Sequence, residues 1–147
     1  MFEFSPIPLH PSLVHFPIAF LLSGTLAVIL FRLLQKPSGE HWGVYTLTAG
    51  WVLVLPALIT GLIDKAALPP DSPENALANT HTTGMIAMWV LYGVALYLYV
   101  IWQKRDQLSG GRLWLWFGLL VLASATLALA GHQGGRLVYE FGVGALP

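Results

Sequence analysis

Four stretches of this 147-residue chain contain no Asp, Glu, Lys or Arg: residues 13–31, 42–63, 82–103 and 113–132. That punctuation constrains the fold more than any other feature. Each run is close to the ~20 residues that cross ~30 Å of hydrocarbon at ~1.5 Å per residue. Lipid offers backbone amides no partner, so a span is either a helix or a strand of a closed barrel. These runs are about twice the length of a barrel strand. The sequence therefore predicts an all-α membrane protein, a four-transmembrane-helix up-down bundle with spans over residues 12–33, 42–63, 81–103 and 112–132. A single domain is expected over residues 1–147. Composition agrees: only 10% of residues are charged and 56% are hydrophobic, against about a quarter charged in soluble domains.

No Lys or Arg precedes the first run, and the run exceeds the apolar core of a signal peptide, so this span is expected to be retained. Arg32, Lys36, Lys104, Arg105 and Arg112 fall on one side of the predicted bundle, and Lys65 and Arg136 on the other. The excess of positive charge marks the cytoplasmic side, which places both termini extracytoplasmic. Trp42, Trp102, Trp114 and Trp116 lie near the cytoplasmic ends, where an aromatic belt belongs. The outer connection "PPDSPENALANT" reads as a loop, and no internal repeat is evident. Formal net charge is zero, so a nucleic-acid partner has no electrostatic support. Cysteine is absent, which removes disulfides, thiolate ligands and thiol nucleophiles together. Without a GxSxG, P-loop, HExxH or glycine-rich dinucleotide motif, hydrolase, kinase and dehydrogenase readings have nothing to rest on.

The histidines carry the chemical signal. His10 and His15 lie at the outer end of span one, His81 opens span three and His132 closes span four, while His41 falls in a cytoplasmic connection. Asp64 ends span two in "TGLID". Ionisable groups at a membrane edge are costly unless solvated, paired or ligating, so His10, His15, His81, His132 and Asp64 form the candidate site. Pro17 requires its helix to begin near Ser12 or Leu13. That puts His15 in the first turn and His10 on an extended approach. On one continuous helix the two rings would lie about 140° apart, whereas a break lets both face the bundle. In span four, "GHQGG" is expected to end the helix at His132. Plainer readings stand beside these: His41 as an interfacial polar residue, Asp64 as a helix end or a partner of Lys65, and Glu140 as a partner of Arg136. Met85 and Met88 read as core, and Tyr92, Tyr97 and Tyr99 as packing and belt residues.

The first functional expectation is a b-type haem held by two axial imidazoles from facing helices. His15 and His81 are the preferred pair, with His10 and His132 as a second pair or as partners of the propionates. Such a site would exchange electrons with a quinol or a periplasmic cytochrome. With no histidine in the inner leaflet, it would not be a complete transmembrane wire. The second expectation is a Zn, Cu or Fe ion on His10, His15, His81, His132 and Asp64, bound less well below about pH 6.5 as imidazoles protonate. The third is a non-catalytic structural subunit of a larger membrane complex. No residue is singled out as catalytic.

The motifs "HPSLVHFPIA", "TGLID", "HTTG" and "GHQGGRLVYEFGVG" run in that order from one end of the chain to the other. In them the chain resembles a family of small, uncharacterised bacterial four-helix membrane proteins, some of which resemble fusions with c-type cytochrome modules. The resemblance implies a multi-pass protein of the bacterial inner membrane with His10, His15, Asp64, His81 and His132 as its signature polar residues. It also implies a tilt toward electron transfer. Glu140-Phe141 departs from the basic or histidine-containing dipeptide expected before GlyValGly.

Overall fold

The computed structural model describes residues 9–144. Five helices follow one another: α1 (Leu9–Leu13), α2 (His15–Leu33), α3 (Pro37–Ala66), α4 (Pro73–Lys104) and α5 (Gly110–Phe141). The first two are one span broken at Val14, so four helices are long and apolar enough to cross a membrane. Among the described residues there is no strand.

The break is mild. Pro17 has no N–H and crowds the carbonyl four residues back, yet Val14 keeps right-handed helical angles. Backbone bonds from Val14 N to His10 O (3.2 Å) and from Ile18 N to Val14 O (3.3 Å) carry the helix across. His10 therefore sits in a helical turn, not on an extended approach. Because the rotation is nearly continuous, His10 and His15 point different ways.

The other ends are set by local chemistry. In α4, Ser72 Oγ accepts from Asn75 N at 3.2 Å, and Pro73 occupies the first turn. Two thirds of the "PPDSPENALANT" connection, from Pro73 onward, is thus helix. In α5, "GHQGG" does not end the helix, which continues to Phe141. Gly142 then takes the left-handed conformation at φ 68°, and Val143 N closes back on Leu137 O at 3.0 Å. Gly142 N also bonds Val138 O at 3.1 Å, the five-to-one bond of a left-handed glycine helix stop.

Packing is closest within the hairpins α2–α3 and α4–α5. A Cβ placed on Gly24 would lie 2.8 Å from the Leu47 backbone nitrogen, and one on Gly43 would lie 2.8 Å from the Val28 nitrogen. These glycines let α2 and α3 touch backbone to side chain. Leu21, Val28, Leu47, Met88, Tyr92, Trp116 and Leu120 fill the centre. Met88 is core, as expected. Tyr92 does more than pack: its hydroxyl lies 3.2 Å from Thr25 Oγ1 and 2.8 Å from Ser124 Oγ, linking α2, α4 and α5. Trp51 and Trp89 stack at 4.9 Å where α3 meets α4, each indole donating to the other's backbone carbonyl. At the far end from the histidines, Arg32 holds the buried Glu40 carboxylate at 3.2 Å and also donates to the Leu108 carbonyl.

A methyl group at Gly43 should destabilise the bundle. Overpacking typically costs about 1–3 kcal/mol, more than the helix propensity that alanine adds. Gly43→Ala is expected to lower the melting temperature in detergent. Gly118→Ala, which meets nothing within 4 Å, should leave it unchanged or raise it. Equal effects at both positions would contradict the close hairpin contact.

Candidate functional site

The two hairpins meet around a cleft at the end of the bundle that carries Asp64 and His81. His10, Asp64, Lys65, His81 and Thr82 are its polar lining. The rest is apolar, with Pro17, Leu21, Val54, Leu62, Met85 and Met88 on one part of the wall and Leu127, Leu137 and Val143 on another. Its clear space is about 80 Å³.

Two imidazoles dominate it. His10 Nδ1 lies 2.8 Å from the Ala57 carbonyl of α3, with Thr60 Oγ1 3.4 Å away. His81 Nδ1 lies 2.7 Å from the Ala130 carbonyl of α5. A carbonyl only accepts, so in both rings the Nδ1 proton is the one donated. In the neutral form each ring then keeps a bare lone pair on Nε2, and neither Nε2 bonds a described residue. Fixing the ring through Nδ1–H to a backbone carbonyl is how proteins orient an imidazole whose Nε2 is to ligate.

The seating is repeated. His10 lies against Gly61, where a Cβ would come within 2.8 Å of its Cε1; His81 lies against Gly134, where the same distance is 2.8 Å. In each hairpin the accepting alanine stands four residues before the glycine. The first helix of each hairpin supplies the ring, and the second supplies the carbonyl and the gap. This correspondence escapes a search of the sequence for repeats, because only three residues per hairpin carry it.

The ring centres are 6.4 Å apart and the planes cross at 77°. With metal–nitrogen bonds of about 2.0 Å and about 1.2 Å from nitrogen to ring centre, two imidazoles on opposite sides of one ion have centres about 6.4 Å apart. A tetrahedral angle would bring them to about 5.2 Å. The separation of the ring centres alone is that of a linear pair and longer than that of two corners of a tetrahedron.

The expected gathering of four imidazoles reduces to these two. His15 and His132 are exposed and do not line the cleft. His15 is turned away by the helical phase that brings His10 inward, so His10 replaces it beside His81. His132 sits two residues before Gly134 on α5 and faces outward. Asp64 lines the cleft without completing a set: no group of three or more His, Asp or Glu able to hold an ion is found among the described residues. His41 is exposed in the first turns of α3, at the other end of the bundle. Glu140 pairs with Arg136 through two 2.8 Å bonds. Sequence reasoning missed the acceptor carbonyls of Ala57 and Ala130, and the C-terminal turn, whose Val143 and Gly144 help line the cleft.

Nitrogen-15 NMR of imidazoles in detergent should show His10 and His81 as Nδ1–H tautomers at neutral pH, with His15 and His132 averaging between forms. Gly134→Ala should remove that signature from His81 and leave His10 unchanged. A rapidly exchanging His81 in the unaltered protein would contradict the hydrogen bond to Ala130.

Comparison with curated proteins and with solved structures gives no match. A family model described as "Predicted membrane protein (DUF2231)" matches residues 6–147. With four apolar helices of spanning length and that match over nearly its whole length, the chain belongs to the DUF2231 family of predicted membrane proteins.

Proposed function

We propose that this protein is a membrane-embedded redox subunit that binds a b-type haem through His10 and His81. The observation that carries the reading is the ring spacing of 6.4 Å between two imidazoles, each with its proton committed to a backbone carbonyl. Two protein ligands without a third suit a group that brings its own equatorial nitrogens. The apolar wall and the glycine gaps beneath both rings suit it too. The cleft holds about 80 Å³ of clear space, below the about 300–1,000 Å³ of ligand pockets, so a macrocycle enters only by displacing side chains such as Met85 and Leu62 along the cleft.

His10 and His81 would hold the group, Gly61 and Gly134 would leave their rings room, and the leucines and methionines would exclude water. A haem so held supplies one-electron transfer, its potential tuned by axial ligands and burial. Depth matters as well. His81 lies about 11 Å from the midpoint of α4 at ~1.5 Å per residue, inside the ~15 Å half-thickness of the hydrocarbon. On the charge distribution of the sequence, this end faces away from the cytoplasm of a bacterial inner membrane. The electron partner is then a quinol in the bilayer or a periplasmic cytochrome.

A second reading has one observation in its favour. The 80 Å³ clear of side chains admits a bare ion without rearrangement, and a cuprous ion accepts two nitrogens in line.

The optical spectrum of protein purified in detergent without chelators tests both. A Soret band, a sharp α band on reduction and one haem per chain are expected. His10→Ala and His81→Ala should each abolish them, while His15→Ala, His132→Ala and His41→Ala keep them. A colourless sample with stoichiometric copper would favour the second reading. A colourless, metal-free sample would overturn both and leave a structural subunit of a larger complex.

A further inference from the structure

On the reading that a haem fills the cleft, we infer that Lys65 receives its propionate carboxylates and thereby sets which edge of the macrocycle faces the water. The cleft lining contains one permanent cation, Lys65, and one acid, Asp64. Both stand in the last two turns of α3. Among the described residues, the only other Lys or Arg at this end of the bundle, Arg136, is already bound in a fork to Glu140 and lies outside the cleft. Lys65 makes no ion pair with a described residue; the pairs found are Arg32–Glu40 and Arg136–Glu140. A half-buried ammonium at a membrane edge that no carboxylate of the described residues reaches within ion-pair distance is costly unless water or a ligand anion meets it.

Its place along α3 fits the task. Lys65 stands four residues, about 6 Å, beyond Gly61 in the direction of the helix end, and Gly61 is the residue on which the His10 ring rests. Ligating nitrogen and ammonium are thus ordered along the bundle axis, with the charge nearer the water. A flat dianionic tetrapyrrole entering between the hairpins meets its apolar edge with Leu21, Val54 and Met88 deep in the cleft. Its acidic edge meets Lys65 at the rim. Asp64 stands at the same rim and repels carboxylates, so it opposes this docking and lowers the affinity that Lys65 confers.

Soret titration of the purified apoprotein with iron protoporphyrin IX and with its dimethyl ester isolates the carboxylate contact from the axial ligation. The unaltered chain should bind the diacid about tenfold or more tighter than the diester, the range of a charge-assisted hydrogen bond. Lys65→Gln should erase that preference, Lys65→Arg should keep it and Asp64→Asn should widen it. Equal binding of diacid and diester by the unaltered chain, both with bis-imidazole spectra, would overturn the role of Lys65 while leaving the haem site standing. A preference that survives in Lys65→Gln would do the same. Should neither porphyrin give a bis-imidazole spectrum, the haem reading and this inference fall together.

Discussion

Two backbone carbonyls, of Ala57 and Ala130, determine what the rest of this bundle offers chemically. Each accepts a hydrogen bond from an imidazole Nδ1–H, and because a carbonyl cannot donate, the tautomer is decided by the backbone rather than by solvent. Burial gives this a second consequence. A polar ring left without a partner would carry a desolvation cost of about 1–3 kcal/mol, so the same bond that orients the half-buried His10 and His81 also makes their burial tolerable. What remains is a pair of lone pairs in an apolar cleft.

The two carbonyls belong to different hairpins, and this explains the shape of the molecule. Each hairpin is a tight unit: α2 and α3 through glycines that bring helix against helix, and α4 and α5 through Gly84 against Ala130 and Trp116 donating to the Ala95 carbonyl. A complete site needs both units, since each contributes one ring, one carbonyl and one glycine gap. Building one bidentate site from two similar halves needs no loop of special conformation. It needs only that two helix pairs face each other at the right depth.

The spans were legible because a charge-free run is a property of the sequence read in one dimension. Four such runs fix the helix count whatever the side chains later touch. Helix phase was harder. Whether His10 or His15 faces inward turns on one peptide unit at Val14, and Pro17 raised the expectation of a break that the backbone in fact bridges. The glycines of "GHQGG" read as a stop because glycine favours helix ends, yet Gly134 is spent making room for the His81 ring. In a bilayer the helix also gains from continuing, since backbone groups released by a turn would find no water. The acceptors were illegible for a simpler reason: every residue has a carbonyl. The one written trace is an alanine four before a glycine, at residues 57–61 and again at 130–134. Glu40 was overlooked because it stands outside the apolar runs, although Arg32 eight residues earlier was its partner in waiting.

The two ends of the bundle are built to different rules. At the end away from the histidines, Arg32 ties the α2–α3 turn to Glu40 and to the Leu108 carbonyl of the α4–α5 connection. Glu40 is buried and Arg32 only partly so, and removing the guanidinium would strand a buried carboxylate, so the hairpins are pinned together there. At mid-height, Tyr92 joins Thr25 to Ser124, and Trp51 and Trp89 bond each other's backbones. Beyond that level, toward Asp64 and His81, the cleft lies between the hairpins, and His10 and His81 each bond a carbonyl within their own hairpin. The contacts that tie one hairpin to the other are therefore concentrated below the cleft. Each ring and the carbonyl that orients it belong to the same hairpin, so the cleft separates the two hairpins and not either imidazole from its acceptor.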